Sequence, residues 1–429
     1  MMKKHFRSLL AAAMVLALSA QATQAADRFI NFNVGQNISV QAGLRIGLDA
    51  AVFNSEYEDL ESGFGLSDFL VEGEIKYREN FTFKFDIDFN GDQGRDLYID
   101  YTKDEHTIKG GFFRDPSSMS MNTYRVDYRF ITRPSTINAL TNEARVFGLS
   151  YKFTNENIFA EQAFYVSEGP SDLSLSTNFE NMGGAGRWLY KQTLANGGKF
   201  HVGINGRLLN YDTPTSVYLG STLESNIGDT EFLMAAVPNV KMDYSFGAEA
   251  LFMANKFFAR GEFTQRNLTK ERDDESLFAA QSTYTTLEAW QTANPIRSNS
   301  FAGAYVEGGY LILGDKYTYN ERAGYISGDD MKGALEVVAR YSYTQMNDIT
   351  EGDIFSIDRF HQNGNPYDFA SQSSSVGGGL MQSATIGANY YISNSISLMA
   401  NYTYSMLDNP YYAGIEDFSI IQLRLSIRF

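Results

Sequence analysis

The sequence predicts an all-β fold, a transmembrane antiparallel β-barrel of about sixteen strands. Three observations carry that expectation. Polar and apolar residues alternate with a period of two in stretches of roughly ten residues, the pattern of a wall that meets lipid outside and water inside. The 429 residues include 32 Phe and 27 Tyr, an aromatic load that suits strands and membrane interfaces. The connections between the alternating stretches are short and long in turn, as periplasmic turns and extracellular loops should be.

The chain opens with Lys3, Lys4 and Arg7, an apolar run from Leu9 to Leu18, and small residues leading to Thr23-Gln24-Ala25. This is the three-part pattern of a secretory signal with cleavage near Ala25, so 1–25 reads as signal peptide and 26–429 as barrel. The run is too short for a membrane helix, which needs about 20 residues. Losing three basic and no acidic residues moves the formal charge from −16 to −19. So acidic a chain lacks the surplus of Lys and Arg that a nucleic-acid partner would require. There is no cysteine, and hence no disulfide or thiolate site. Only eight prolines occur, and no linker divides the chain into domains.

In Ile38 to Phe53 the even positions, from Ile38 through Leu44 and Ile46 to Val52, are apolar, while Ser39, Gln41, Arg45 and Asp49 take the other face. Phe81, Phe83, Phe85, Ile87 and Phe89 alternate with Thr82, Lys84, Asp86, Asp88 and Asn90. Phe257, Ala259, Gly261 and Phe263 interleave with Arg260, Glu262 and Thr264, and Leu335 to Tyr343 repeats the pattern around Glu336 and Arg340. At the end, Ile421, Leu423, Leu425, Ile427 and Phe429 interleave with Gln422, Arg424, Ser426 and Arg428. The expected strands are 38–53, 66–78, 80–90, 95–103, 106–114, 145–154, 157–168, 184–193, 199–210, 243–254, 256–266, 301–313, 333–344, 378–391, 395–406 and 418–429. Between them, 115–144, 211–242, 267–300 and 345–377 read as long extracellular loops. Segment 314–332 is long where a short turn is due, and reads as a structured periplasmic loop or an unrecognised hairpin. Sixteen strands make a cylinder wide enough for an aqueous channel.

The rival classes are an enzyme and a binding scaffold. Catalysis in such barrels generally needs a His-centred site. Outside the signal only His106, His201 and His361 occur, at a periplasmic turn, at the periplasmic start of a lumen-facing strand, and in an extracellular loop beside Asp358 and Asn363. No glycine loop for phosphate and no zinc spacing is present, so no enzyme activity, cofactor or metal is expected. The Asn-, Thr- and Ser-rich loops either bind partners, as in an adhesin, or fold over the mouth. Tyr402, Tyr404, Tyr411 and Tyr412 are placed at the outer aromatic girdle and hairpin tip.

Several segments resemble the phosphate-selective porin O and P family: Gly43-Leu44-Arg45-Ile46-Gly47-Leu48-Asp49, Phe81 to Phe89, Ile108-Lys109-Gly110-Gly111-Phe112-Phe113-Arg114-Asp115-Pro116, Ala304 to Tyr310, and Gly333 to Ser342. The resemblance covers nearly the whole mature chain in order. It implies a sixteen-stranded homotrimeric porin of the bacterial outer membrane, in contact with lipid, whose third extracellular loop folds inward and narrows the lumen. It implies as well that a terminal strand ending in Phe429 serves as an assembly signal, and that basic residues at the constriction set anion preference. The candidates are Arg125, Arg129 and Arg133, four apart and so expected on one face as a ladder, with Arg114 and Arg145 flanking the loop. Lys109 and Arg45 join them by strand parity. Arginine suits phosphate oxygens through its planar, permanently charged fork. Against them stand Asp127 in the same loop and the inward Glu72, Glu74, Asp86, Asp88 and Glu249. Two solute readings stay open: phosphate and related anions, or a general or sugar-type porin in which the arginines balance carboxylates.

Overall fold

A computed structural model describes residues 30–54, 60, 62–90, 93–141, 145–168, 181–195, 197–349, 375–409 and 417–429. Its strands are β1 (Ile30–Val34), β2 (Ile38–Asn54), β3 (Gly63–Tyr77), β4 (Phe81–Asp88), β5 (Gln93–Lys103), β6 (His106–Arg114), β7 (Arg145–Thr154), β8 (Ile158–Glu168), β9 (Asn181–Thr193) and β10 (Lys199–Thr222). They continue as β11 (Glu231–Ala254), β12 (Phe257–Lys270), β13 (Asn299–Leu313), β14 (Thr318–Asn320), β15 (Tyr325–Ser327), β16 (Leu335–Asp348), β17 (Val376–Tyr391), β18 (Ile396–Asp408) and β19 (Asp417–Arg428). Sixteen of these, β2–β13 and β16–β19, form one antiparallel sheet in chain order, and β19 closes it on β2 from Ser419↔Asn54 to Arg428↔Arg45. The carboxyl-terminal residue joins the closure. Phe429 N–H donates to Leu44 O, and Leu44 N–H donates to Phe429 O. Beyond that point β1 takes over as partner of β2, from Ile30↔Ala42 to Val34↔Ile38, an element the periodicity missed.

The alternation has the expected sense. On β19 the outward Ile421 and Leu423 are each 56 % exposed, whereas Gln422 and Arg424 are buried on the inner face. On β18 the outward Tyr402 and Tyr404 alternate with buried Asn401, Thr403 and Ser405. Tyr411 and Tyr412 fall outside the described residues. Exposed rings collect at the short-turn end, including Tyr77, Phe81, Tyr101, Tyr151, Tyr190, Phe257, Tyr310 and Tyr390. Three of them touch across β3, β4 and β5, with centroids 6.4 Å apart for Tyr77–Phe81 and 4.8 Å for Phe81–Tyr101. That ring of amphipathic aromatics marks one membrane–water interface.

Two predicted loops are structured. Strands β10 and β11 run 24 residues each, well past the expected 210 and 243, through irregularities at Asn210, Thr215 and Val217. The extension is held by burial, because its Val217, Leu219, Phe232, Leu233 and Val237 pack with Met346, Met381, Leu407, Phe418 and Ile420 of β16–β19. At its tip Asn226 donates to Asp49 on β2 (2.7 Å) and Gln422 donates to the Glu224 carbonyl (2.7 Å). Segment 314–332 contains the unrecognised hairpin, β14 paired with β15 as a separate two-stranded sheet. Tyr325 and Ile326 are buried against Leu251, Met253, Phe258, Leu311 and Val338, apolar residues of the inner face. A wall position that faces inward and is apolar therefore marks a place where a connection packs, not where water passes. The long connection 271–298 carries two short helices, Asp274–Ala279 and Leu287–Ala293, with Trp290 buried under Arg272 at 4.7 Å.

Leu423→Arg should put a cation into hydrocarbon and destabilise the barrel by about 2–4 kcal/mol. Urea unfolding of the protein refolded in lipid vesicles measures it.

Candidate functional site

Strand parity turns the charged residues of the wall inward, where they meet partners one or two strands away. Arg145 Nε donates to Asp96 (2.8 Å) and Lys109 Nζ to Glu161 (3.2 Å). Lys84 Nζ donates to Tyr124 Oη (2.9 Å) and stands 3.4 Å from Asp86. Arg187 is chelated by Glu249 at 2.6–3.1 Å, and its other N–H groups donate to the Ala323 and Gly324 carbonyls of the β14–β15 hairpin. His201 lies beside it, hydrogen-bonded to Tyr319 Oη at 2.8 Å. His106 bonds Tyr151 at the turn end, and His361 lies outside the described residues. Among the described residues no cluster of His, Asp or Glu could hold a metal.

The segment between β6 and β7 is bonded to distant strands. It carries the short helices Met119–Asn122 and Ser135–Leu140 and a 3-10 turn at Arg125–Asp127. Glu262 of β12 accepts from Ser118 Oγ, Met119 N and Ser120 N at 2.7–2.9 Å, a carboxylate fixed on the open amides of a helix start. Ile131 N donates to Asn401 of β18 (2.8 Å), and Ser135 N to Glu224 (3.0 Å). Glu224 also takes Ser342 Oγ at 2.7 Å and an ion pair from Arg340, whose Nη1 donates to Thr132 O (2.8 Å).

The three arginines of this segment do not form a ladder. Extended backbone at Tyr124 and Tyr128 flanks the 3-10 turn, so spacing by four no longer returns to one face. Arg125 turns to β3, donating to Ser67 O at 2.6 Å and standing 3.8 Å from Asp68. Arg129 is 1 % exposed and turns the other way, to Tyr391 Oη (2.8 Å), Ser327 O (2.6 Å) and Glu336 (3.8 Å). Burial works against its charge, yet Tyr391 and Glu336 hold the guanidinium above its ordinary pKa. Arg133 lies over the Tyr128 ring at 5.2 Å. Of the flanking pair, Arg114 donates to the Met121 and Thr123 carbonyls and stacks on Tyr124, while Arg145 belongs to Asp96.

Two of the seven candidates, Arg45 and Arg125, share an open space. They line a cavity with an empty volume of about 680 Å³ together with Lys332, Arg424 and Arg428. Asp68 is the one carboxylate in that lining, which is completed by Tyr128, Tyr391 and the turn Ser393–Ser397. Arg45 grips Asp68 through Nε and Nη2. Arg424 is held by Asp49 across the closing seam with two bonds of 2.7 Å, and its Nη2 lies 3.4 Å from Ser67 Oγ. Burial and the nearby Arg424 charge push the Arg125 guanidinium down to about 10. It stays charged at neutral pH, in surroundings short of negative charge. Alternation alone had turned Arg424 and Arg428 inward. Their meeting with Arg45 depends on closure of β19 on β2, and Lys332 arrives from the β15–β16 connection.

Arg129→Ala should leave Glu336 buried without its cation and destabilise the fold by about 3–5 kcal/mol. Thermal unfolding of the detergent-solubilised protein measures the loss.

No curated protein sequence matches the chain. Among solved structures, an outer-membrane protein of Vibrio cholerae, OmpT folded in vitro, is similar with a TM-score of 0.53 at 10 % identity, covering 96 % of this chain and 100 % of the other. Its trimer form gives 0.52 at 10 % identity, covering 92 % and 100 %. An anion-selective porin from Comamonas acidovorans gives 0.52 at 11 % identity, covering 91 % and 100 %. These likenesses show the fold. The model of the family "Phosphate-selective porin O and P" matches residues 40–429, and the chain belongs to that family of bacterial outer-membrane porins.

Proposed function

We propose that this porin passes small anions, phosphate among them, through the cavity beside β2, β3 and β19. The observation that carries the reading is local charge. Five cations, Arg45, Arg125, Arg424, Arg428 and Lys332, face the same space as a single carboxylate, although the whole chain is acidic at −16. A cleft lined by one sign of charge concentrates the opposite ion, and guanidinium forks match phosphate oxygens in pairs. The remaining candidates do not line the cavity. Arg129 fastens the third loop, and Lys109, Arg114, Arg133 and Arg145 sit against carboxylates, carbonyls or rings of the loop and wall.

The contacts of 115–141 with Glu262, Glu336 and Asn401 support a third extracellular loop that lies across the lumen and narrows it. The β10–β11 tip and the 314–332 hairpin fill further space, leaving an eccentric path. Residues 1–25 act as the export signal in this reading. The trimer form of the Vibrio neighbour supports a homotrimer.

Reconstitution in a planar bilayer under a salt gradient tests the proposal, with and without phosphate. The reversal potential should lie on the anion side, and micromolar to millimolar phosphate should compete with chloride current. Arg45→Ala with Arg125→Ala should lower the anion-to-cation permeability ratio several-fold. A wild-type potential at zero or on the cation side would favour the general or sugar-type porin instead.

A further inference from the structure

Asp68 stands out in the cavity by its sign and by its position. It occupies the donor face of Arg45, sits 3.8 Å from Arg125, and is itself 3 % exposed. The carboxylate of the closing seam, Asp49, is taken up by Arg424 and does not line the cavity. The strand makes room for this arrangement. Gly47 pairs with Asp68 across β2 and β3, where the register shifts at the next residue. A Cβ at 47 would lie 2.7 Å from Ser67 Oγ and 3.0 Å from Asp68 Cβ, so only glycine leaves Asp68 this close.

A carboxylate and a phosphate compete for the same guanidinium geometry, since each presents paired oxygens to the N–H fork. A channel site must bind well enough to admit its ion and weakly enough to release it. Two guanidiniums without a resident partner would hold an oxyanion too long. Resting on the anion reading above, we infer that Asp68 is a specificity-determining residue that acts as a built-in counter-ion. An entering oxyanion displaces it from Arg45 and Arg125, and its return to them expels the ion. Phosphate occupancy and throughput are thereby set against each other at one side chain.

The test is single-channel current against potassium phosphate concentration in planar bilayers, for wild type and variants whose folding is checked by heat-modifiable migration. Asp68→Asn should lower the phosphate concentration for half-maximal current by about tenfold, the loss of one charge-assisted competitor, and should lower the maximal current as exit slows. Gly47→Ala keeps every charge but crowds Asp68 off Arg45. It should move half-saturation the same way by a smaller factor, and it decides the matter where Asp68→Asn fails to insert. Asp417→Asn makes the same charge change at the exposed outer end, where Asp417 accepts from Tyr404, and should leave half-saturation in place. An anion-selective wild type whose half-saturation stays within twofold in the cavity variants overturns the role of Asp68 alone, as does an equal shift in Asp417→Asn. A wild-type channel without anion preference overturns this inference together with the reading beneath it.

Discussion

In hydrocarbon a backbone N–H or C=O without a partner costs several kcal/mol, and a sheet in a membrane therefore has to close on itself. Here the closure is made by β19 against β2, with Phe429 and Leu44 exchanging hydrogen bonds at the last residue of the chain. That seam is electrostatic as well. Arg424 and Asp49 are register partners, so the first and last wall strands are tied by a bidentate ion pair on the inner face. Closure forces each strand to present one face to lipid and the other to the lumen. The outer greasy face, the aromatic ring at the turn end and the charged interior all follow from it.

Three connections are each fastened by a buried charge. Glu262 takes the amide cluster at the start of the Met119 helix, Glu224 gathers Ser135, Ser342 and Arg340, and Arg187 reaches from Glu249 to the carbonyls of the β14–β15 hairpin. Buried charges are costly unless paired and fully hydrogen-bonded, and breaking one pair strands its partner. These pairs specify where the segments lie more than they add to net stability. Apolar burial supplies the rest, with one cluster beneath the β10–β11 extension and another around the hairpin at 314–332.

This division of labour separates basic residues that look equivalent in the sequence. Arg125 and Arg129 stand four positions apart, yet one borders the open cavity and the other is a structural fastener at Glu336. Local counting explains the difference: Arg129 has an ion pair, a phenol and a carbonyl about it, while Arg125 shares Asp68 with Arg45 and feels Arg424 nearby. The basic lining of the cavity thus arises from the placement of neutralising carboxylates, not from the charge of the chain.

The sequence by itself determined the class, the sixteen wall strands and the direction their residues face, because the two-residue period of a strand between lipid and water is a local property. Strands such as 106–114 and 145–154 are legible to the residue for that reason. It could not determine which inward residues meet, since that depends on register across strands distant in the chain, as with Arg424 beside Asp49. Nor could it show that 211–242 continues β10 and β11, or that 314–332 holds a hairpin, because both are stabilised by apolar wall positions that break the polar-inside rule only where a connection packs on them. The seven nominated cations were all inward or in the third loop, but only tertiary structure decided that two of them border the cavity. Neutralisation is a matter of distances of a few ångströms between strands, and a one-dimensional pattern carries none of those.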